Sequence, residues 1–331
     1  MFWRLLGQLL FLLLAMILIQ GGAGVAIGLM LRSGDRLPAN VFDDFRRAQA
    51  WLVSNPLWMA LGMLSVALAI WLSVWAAAQL LDRRPLADFG LHLDRHWWAD
   101  LGFGLALGAL LMTLIFLVEL AAGWVTVRGT LVTHDPQLGF WPTILASLLL
   151  FVAVGFYEEL FSRGYQLTNL AEGFAALRPR TAVWLATILS GGVFGLLHLS
   201  NPHATWYSAL GIAAGGVLTL GLGYILTGEL GLSIGLHISW NFVQGNVYGF
   251  PVSGGSFFAS FLFIEQGGPV LWTGGAFGPE AGLVGLMATL LGALLICAWV
   301  RWRRGAIALH TELAEPPASL VGRQGPSGHG A

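Results

Sequence analysis

The sequence predicts an all-α membrane protein with about eight transmembrane helices. Of its 331 residues 56% are hydrophobic and only 10% are charged, and the mean hydropathy is +0.75. Apolar runs of about 20 residues, the length that crosses roughly 30 Å of hydrocarbon, recur along the chain. A water-soluble domain of this size needs far more charge to cover its surface. The net charge of -1 and the lack of any basic stripe give no sign of a nucleic-acid partner, and none is expected. The single Cys297 lies in an apolar run, which excludes a disulfide framework and a thiolate metal site. All 16 basic residues are arginine, a bias to which no functional meaning is attached.

The expected spans are Leu5–Leu31, Leu57–Leu81, Leu101–Trp124, Trp141–Tyr157, Ala182–Leu199, Tyr207–Thr227, Leu230–Phe250 and Gly282–Trp302. The first opens with Arg4 and a Leu-rich stretch, as a signal peptide would. It stays apolar through Leu31, too long for a cleaved segment, and reads as a retained span. The chain after Arg304 is rich in Pro, Gly and Ser, and a disordered cytoplasmic tail is expected over 305–331.

Arginine placement sets the expected orientation. With the N-terminus inside, the inner face collects Arg4, Arg83, Arg84, Arg95, Arg178, Arg180, Arg301, Arg303, Arg304 and Arg323. The outer face collects Arg32, Arg36, Arg46, Arg47 and Arg128. The expectation is a multi-pass protein of the cell (plasma or inner) membrane with both termini cytoplasmic. Trp97, Trp98, Trp141, Trp299 and Trp302 stand where an interfacial aromatic belt belongs.

Ionisable residues inside apolar spans are costly and mark candidate sites. Here they are Glu119, Glu158, Glu159, Arg163, His198 and His237. In the run Glu158-Glu159-Leu160-Phe161-Ser162-Arg163, the second acid and the arginine are four apart with the acid N-terminal, the favourable order for a helical pair. Glu158 is turned about 100° from Glu159. Arg163 is thus expected to neutralise Glu159 and leave Glu158 free as a base. The same three residues equally suit a buried ion network between helices. In Phe194-Gly195-Leu196-Leu197-His198 the ring and the imidazole share a face, although a histidine near a span end is commonly just a satisfied polar group. In His237-Ile238-Ser239-Trp240-Asn241 two hydrogen-bonding groups face one side, spaced to hold an oxyanion, a cation or a neighbouring helix.

Taken in order, these three motifs resemble the CPBP family of membrane proteases, which includes the type II CAAX prenyl endopeptidases. The family pattern is Glu-Glu followed by Arg, then Phe-x-x-x-His, then His-x-x-x-Asn or Asp. This chain matches it at Glu158, Glu159 and Arg163, at Phe194 and His198, and at His237 and Asn241. The resemblance runs roughly from Leu101 to the end of the last span and includes the stretch Thr273–Glu280. It implies N-terminal helices over 1–100, a CPBP-like core over 101–304, and a site on spans 4, 5 and 7. It also implies that Glu158 and His198 activate water, that His237 and Asn241 stabilise the oxyanion, and that Glu159, Arg163 and Phe194 support them. The expected activity is hydrolysis of a peptide bond in a membrane-embedded or lipidated protein, with membrane lipids as surroundings. Glu158, His198 and His237 could hold Zn²⁺ with an open position for water, or work as a metal-free acid–base set, and both alternatives stand. Two other readings are a non-catalytic immunity or scaffold protein of the same fold and a proton-relaying transporter. The transporter reading lacks the internal repeat such proteins often carry.

Straight antiparallel spans cannot place Glu158, His198 and His237 at one depth. A tilted, broken or re-entrant backbone is therefore expected near Gly164, Ser200–His203 or the glycines between 211 and 223, around a wet cavity. Glu119 has no local partner and is expected to be structural. The segment Pro251–Gly282 is expected to be either a lid over the site or a plain connection.

Overall fold

A computed structural model describes residues 2–33, 55–135 and 138–316. It is mostly helical. Among the described residues, seven helices are long and apolar enough to cross a membrane: Phe2–Gly22 (part of α1, Phe2–Ser33), α2 Pro56–Asp82, α3 Arg95–Ala121, α4 Phe140–Gly173, α5 Pro179–Ser200, α6 Trp206–Thr227 and α8 Leu283–Arg304. The seventh expected span, Leu230–Phe250, is shorter than predicted. It is α7, Gly231–Phe242, prolonged by a π-helical turn Val243–Val247. Residues 231–239 of α7 are all buried, so other helices surround this segment where lipid surrounds the exposed faces of its neighbours.

The closest packing is between α3 and α7, and glycine makes it possible. A Cβ at Gly235 would lie 2.2 Å from the Leu101 carbonyl oxygen, and one at Gly104 would lie 2.2 Å from that of Leu232. Gly104 and Gly108 on one helix, and Gly231 and Gly235 on the other, are each four residues apart. Small residues at this spacing let two backbones touch, and close van der Waals packing is the main attraction between helices in lipid.

One end of the bundle is fastened by charge. Arg4 reaches Asp82 at 2.8 Å and Glu172 at 2.6 Å, Arg84 reaches Glu172 at 2.6 Å, and the Tyr165 hydroxyl donates to Asp82 at 2.9 Å. Asp82 and Glu172 are buried, and each is paired with two arginines, as burial of a charge requires. The network joins α1, α2 and α4. Of the arginines used for the orientation, Arg36, Arg46, Arg47 and Arg323 lie outside the described residues.

Two features depart from the sequence reading. A two-stranded antiparallel sheet, β1 Val125–Thr133 with β2 Ala259–Gln266, joins the connection after α3 to the segment before α8. Val125–Thr133 alternates apolar and polar residues, a period-two pattern suited to a strand with one face covered. Gln266 at the end of β2 donates to Glu119 at 2.7 Å, which supplies the partner that acid lacks within its own helix. The tail is not disordered from residue 305. Residues 311–314 form a turn with Leu313 and Ala314 buried, and the His310 N–H donates to the Ile225 carbonyl at 2.8 Å. Two apolar side chains and a backbone bond are enough to hold it, while residues 317–331 lie outside the described chain.

Candidate functional site

α4 and α7 approach closely at Gly155, where a Cβ would lie 2.6 Å from Ile238 Cγ1. That contact sits one turn before Glu158–Glu159 and one residue after His237, so it brings the acids and the imidazole together. Glu159 Oε1 accepts from His237 Nδ1 at 2.7 Å and from Arg163 Nη1 at 2.9 Å. Glu159 and Arg163 are entirely buried, and the guanidinium has three neighbours while its Nε has no hydrogen-bond partner among the described residues. Its Nη2 donates to the Gly216 carbonyl at 3.2 Å, and its centre lies 4.3 Å from the Phe194 ring. The expected pair of Glu159 with Arg163 is present. The bond from Glu159 to His237 crosses between helices and has no signature in local spacing.

Glu158 points elsewhere. Its Oε2 is 3.8 Å from His237 Nε2, too far for a direct hydrogen bond, and it has no partner among the described residues. A polar contact of that length is where a bridging water belongs. Glu158 lines a hollow together with Tyr157, Ser162, Phe194, His198 and Asn201.

His198 stands where α5 passes from an α-helix to a short 3₁₀ turn. Its Nδ1 lies 2.7 Å from the Phe194 carbonyl. A carbonyl only accepts, so Nδ1 carries hydrogen and Nε2 is left open. The Phe194 ring lies 4.7 Å from the His198 ring and 6.2 Å from that of His237, centre to centre. Phe194 thus stacks between Arg163 and the two imidazoles. On the other side of Phe194 and His198 is a second hollow, lined by His237, Asn241, Ser253, Glu280 and the glycine-rich face of α6. His198 belongs to both walls.

The backbone breaks expected from the depth problem occur as π-helical turns. One runs Leu160–Leu167 around Gly164 just after the acids and another Gly216–Gly221 in α6, while a further π-helical turn at Val243–Val247 lies where no break was expected. Such wide turns commonly mark functional sites within α-helices. At Gly216 a Cβ would lie 2.9 Å from Arg163 Nη2, so glycine is needed where the carbonyl meets the guanidinium.

The candidate Zn²⁺ ligands do not come together as a metal site. Among the described residues no three His, Cys, Asp or Glu side chains are grouped so as to hold a metal ion. Glu158 and His198 share one hollow, while His237 shares the other with His198. This donor arrangement does not fit Zn²⁺, and no step below is routed through a metal.

The sequence reading did not single out Gln244 or Ser253, and it placed Glu280 in the Thr273–Glu280 stretch without giving it a role. Glu280 is buried, with Oε1 accepting from the Ser253 N–H at 2.5 Å and from its hydroxyl at 3.2 Å. Its Oε2 accepts from Gln244 Nε2, which also donates to the Pro251 carbonyl. A signal was available, because His237, Asn241 and Gln244 fall at i, i+4 and i+7 and continue one polar stripe along α7.

Residues 140–243 match the family described as Type II CAAX prenyl endopeptidase Rce1-like. The chain is also 28% identical over 173 residues to the "Uncharacterized protein YyaK" of Bacillus subtilis (strain 168). That similarity covers 51% of this chain and 54% of the relative, so the chain spans about half the length of the curated relative it matches. No solved structure matches.

Proposed function

We propose that this chain, which carries an Rce1-like type II CAAX prenyl endopeptidase (CPBP) family domain over residues 140–243, is an intramembrane endopeptidase acting on a membrane-embedded or lipidated protein. The observation that carries the reading is the unequal treatment of two adjacent acids. Glu159 commits Oε1 to Arg163 and His237, while Glu158 bonds neither of them, lies 3.8 Å from His237 Nε2 and shares a hollow with His198; an Oε2 without a partner is common to both acids.

In this mechanism a water sits between Glu158 and His198 Nε2, and one of them takes its proton as the oxygen attacks the scissile carbonyl. The developing oxyanion is held by His237 Nε2 and the Asn241 amide from the neighbouring wall. Donation from His237 Nε2 requires a ring carrying both protons, with Glu159 accepting from Nδ1. Arg163 holds the Glu159 carboxylate in place for that task. The proton taken from water then passes to the leaving amine.

The test is cleavage of quenched fluorescent peptides, with and without prenyl groups, by the purified protein in liposomes. The wild type should cleave at least one peptide, and Glu158→Ala and His198→Ala should each lose activity while remaining folded. Retained cleavage in both variants would refute the assignment of the water-activating pair.

A further inference from the structure

We propose that Glu280 is a positioning residue of the same site, fastening the segment around Ser253 and the end of α7 into the wall that faces His198 and His237. This rests on the peptidase reading above and extends it to a residue outside the three motifs.

The argument begins with where Glu280 sits. It lies in the short turn before α8, and its backbone packs onto α6. A Cβ at Gly211 would lie 2.2 Å from the Glu280 carbonyl oxygen. From there its carboxylate reaches two other parts of the chain. One oxygen takes both donors of Ser253, and the other takes the amide of Gln244, which follows Asn241 by three residues on α7. Ser253 is in turn held from α5, because the Asn201 side-chain amide donates to its carbonyl at 3.1 Å. One carboxylate therefore ties together α6, α7 and the segment bonded to the end of α5. Three of its members, His198, His237 and Asn241, line the cavity with Glu280 and Ser253 themselves.

Two details show that this clamp holds something that would otherwise relax. Ser253 has φ +47°, a left-handed backbone conformation that a non-glycine residue adopts only when its surroundings impose it. The Glu280 carboxylate bonds the N–H of that same residue. Gln244 Oε1 is buried without a hydrogen-bond partner, so the Gln244 amide is oriented entirely by donation to Glu280 and to the Pro251 carbonyl. Take away the carboxylate and the amide is free to turn. Burial supports the same picture, because it pushes the Glu280 carboxyl up to about 7 despite these donors. The titratable groups facing the same cavity are His198 from α5 and His237 from α7, and α6, α8 and the Ser253 segment bring none.

Clamping and catalysis are separated by two measurements on the full-length protein in detergent at pH 8. Amide hydrogen exchange reads the clamp directly. In Glu280→Ala the amides of residues 252–255 should exchange about ten- to a hundredfold faster than in wild type, the loss expected for charge-assisted bonds in a locally opening segment. Glu280→Gln should lie between the two. It keeps an acceptor for Ser253 and can regain Gln244 only by turning that amide away from Pro251. Peptide cleavage reads the consequence: kcat should fall in Glu280→Ala with KM little changed, and Glu280→Gln should recover part of it. Unchanged exchange at 252–255, or unchanged kcat in a variant whose exchange has risen, would overturn the proposal. If the wild type cleaves no peptide at all, the peptidase reading fails by itself, and the exchange result alone decides whether Glu280 fastens the wall.

Discussion

Arg163 lies wholly out of contact with solvent beside an equally buried Glu159, and Glu158 is a fifth exposed with one oxygen unpartnered. Substitutions at these positions should therefore fail in different ways. Arg163→Ala leaves the buried Glu159 with His237 alone as partner, a loss of about 3–5 kcal/mol, and should appear as a lowered melting temperature and poor yield. Glu158→Gln removes no direct hydrogen bond from Oε2, so melting should change little while cleavage falls by roughly 10²–10⁴. If Glu158→Gln melts as badly as Arg163→Ala, then Glu158 belongs to the ion network and not to the chemistry. At this scale the sequence was informative about one bond and silent about the next. The four-residue spacing of Glu159 and Arg163 pointed to their pairing, because a single helix enforces it. The bond from Glu159 to His237 spans two helices, and nothing in local spacing encodes which faces of two helices meet. The role of Glu280 was hidden for the same reason, since its partners come from two other segments.

Helix α7 shows what the sequence could and could not reveal about an element. Its apolar run was legible and its length was not. A run that is apolar on all sides reads as a lipid-crossing helix, whereas here the same composition reflects burial by protein. The glycines that permit this burial make a prediction of their own. Gly235 has the Leu101 carbonyl where a Cβ would go, whereas Gly102, on the same helix as Leu101, has nothing within 4 Å. Gly235→Val should force α3 and α7 apart and destabilise by at least about 1–3 kcal/mol. Gly102→Ala should be neutral or slightly stabilising. Thermal unfolding in detergent checks both, and equal effects at the two positions would mean that glycine packing does not fasten α3 to α7. The β1–β2 sheet was missed because each strand is short and its partner lies more than a hundred residues away, so the alternation in either one is weak evidence alone. The π-helical turns were foreseen only as an unspecified break, because the depth argument demands a distortion without naming its form.

Across the whole molecule, folding stability should carry the mark of Glu280. Its carboxyl lies near 7 in the folded protein, raised by burial from an ordinary 4.5, and the donors on Ser253 and Gln244 offset only part of that rise. Between those two values the folded chain holds a proton that the unfolded chain has released. The contribution is therefore fully present below about pH 4.5 and is lost as pH rises through about 7. Its size is on the order of a few kcal/mol, from a shift of this extent at 1.36 kcal/mol for each pH unit. The informative quantity is the pH dependence of the difference between wild type and Glu280→Gln, which lacks this titrating proton. Melting temperatures measured from pH 5 to 8 should fall more steeply for the wild type, with the two curves separating toward low pH. Parallel curves would mean that Glu280 meets water in the folded protein. The wall opposite His198 would then be wetter and looser than the hydrogen bonds of Ser253 and Gln244 imply.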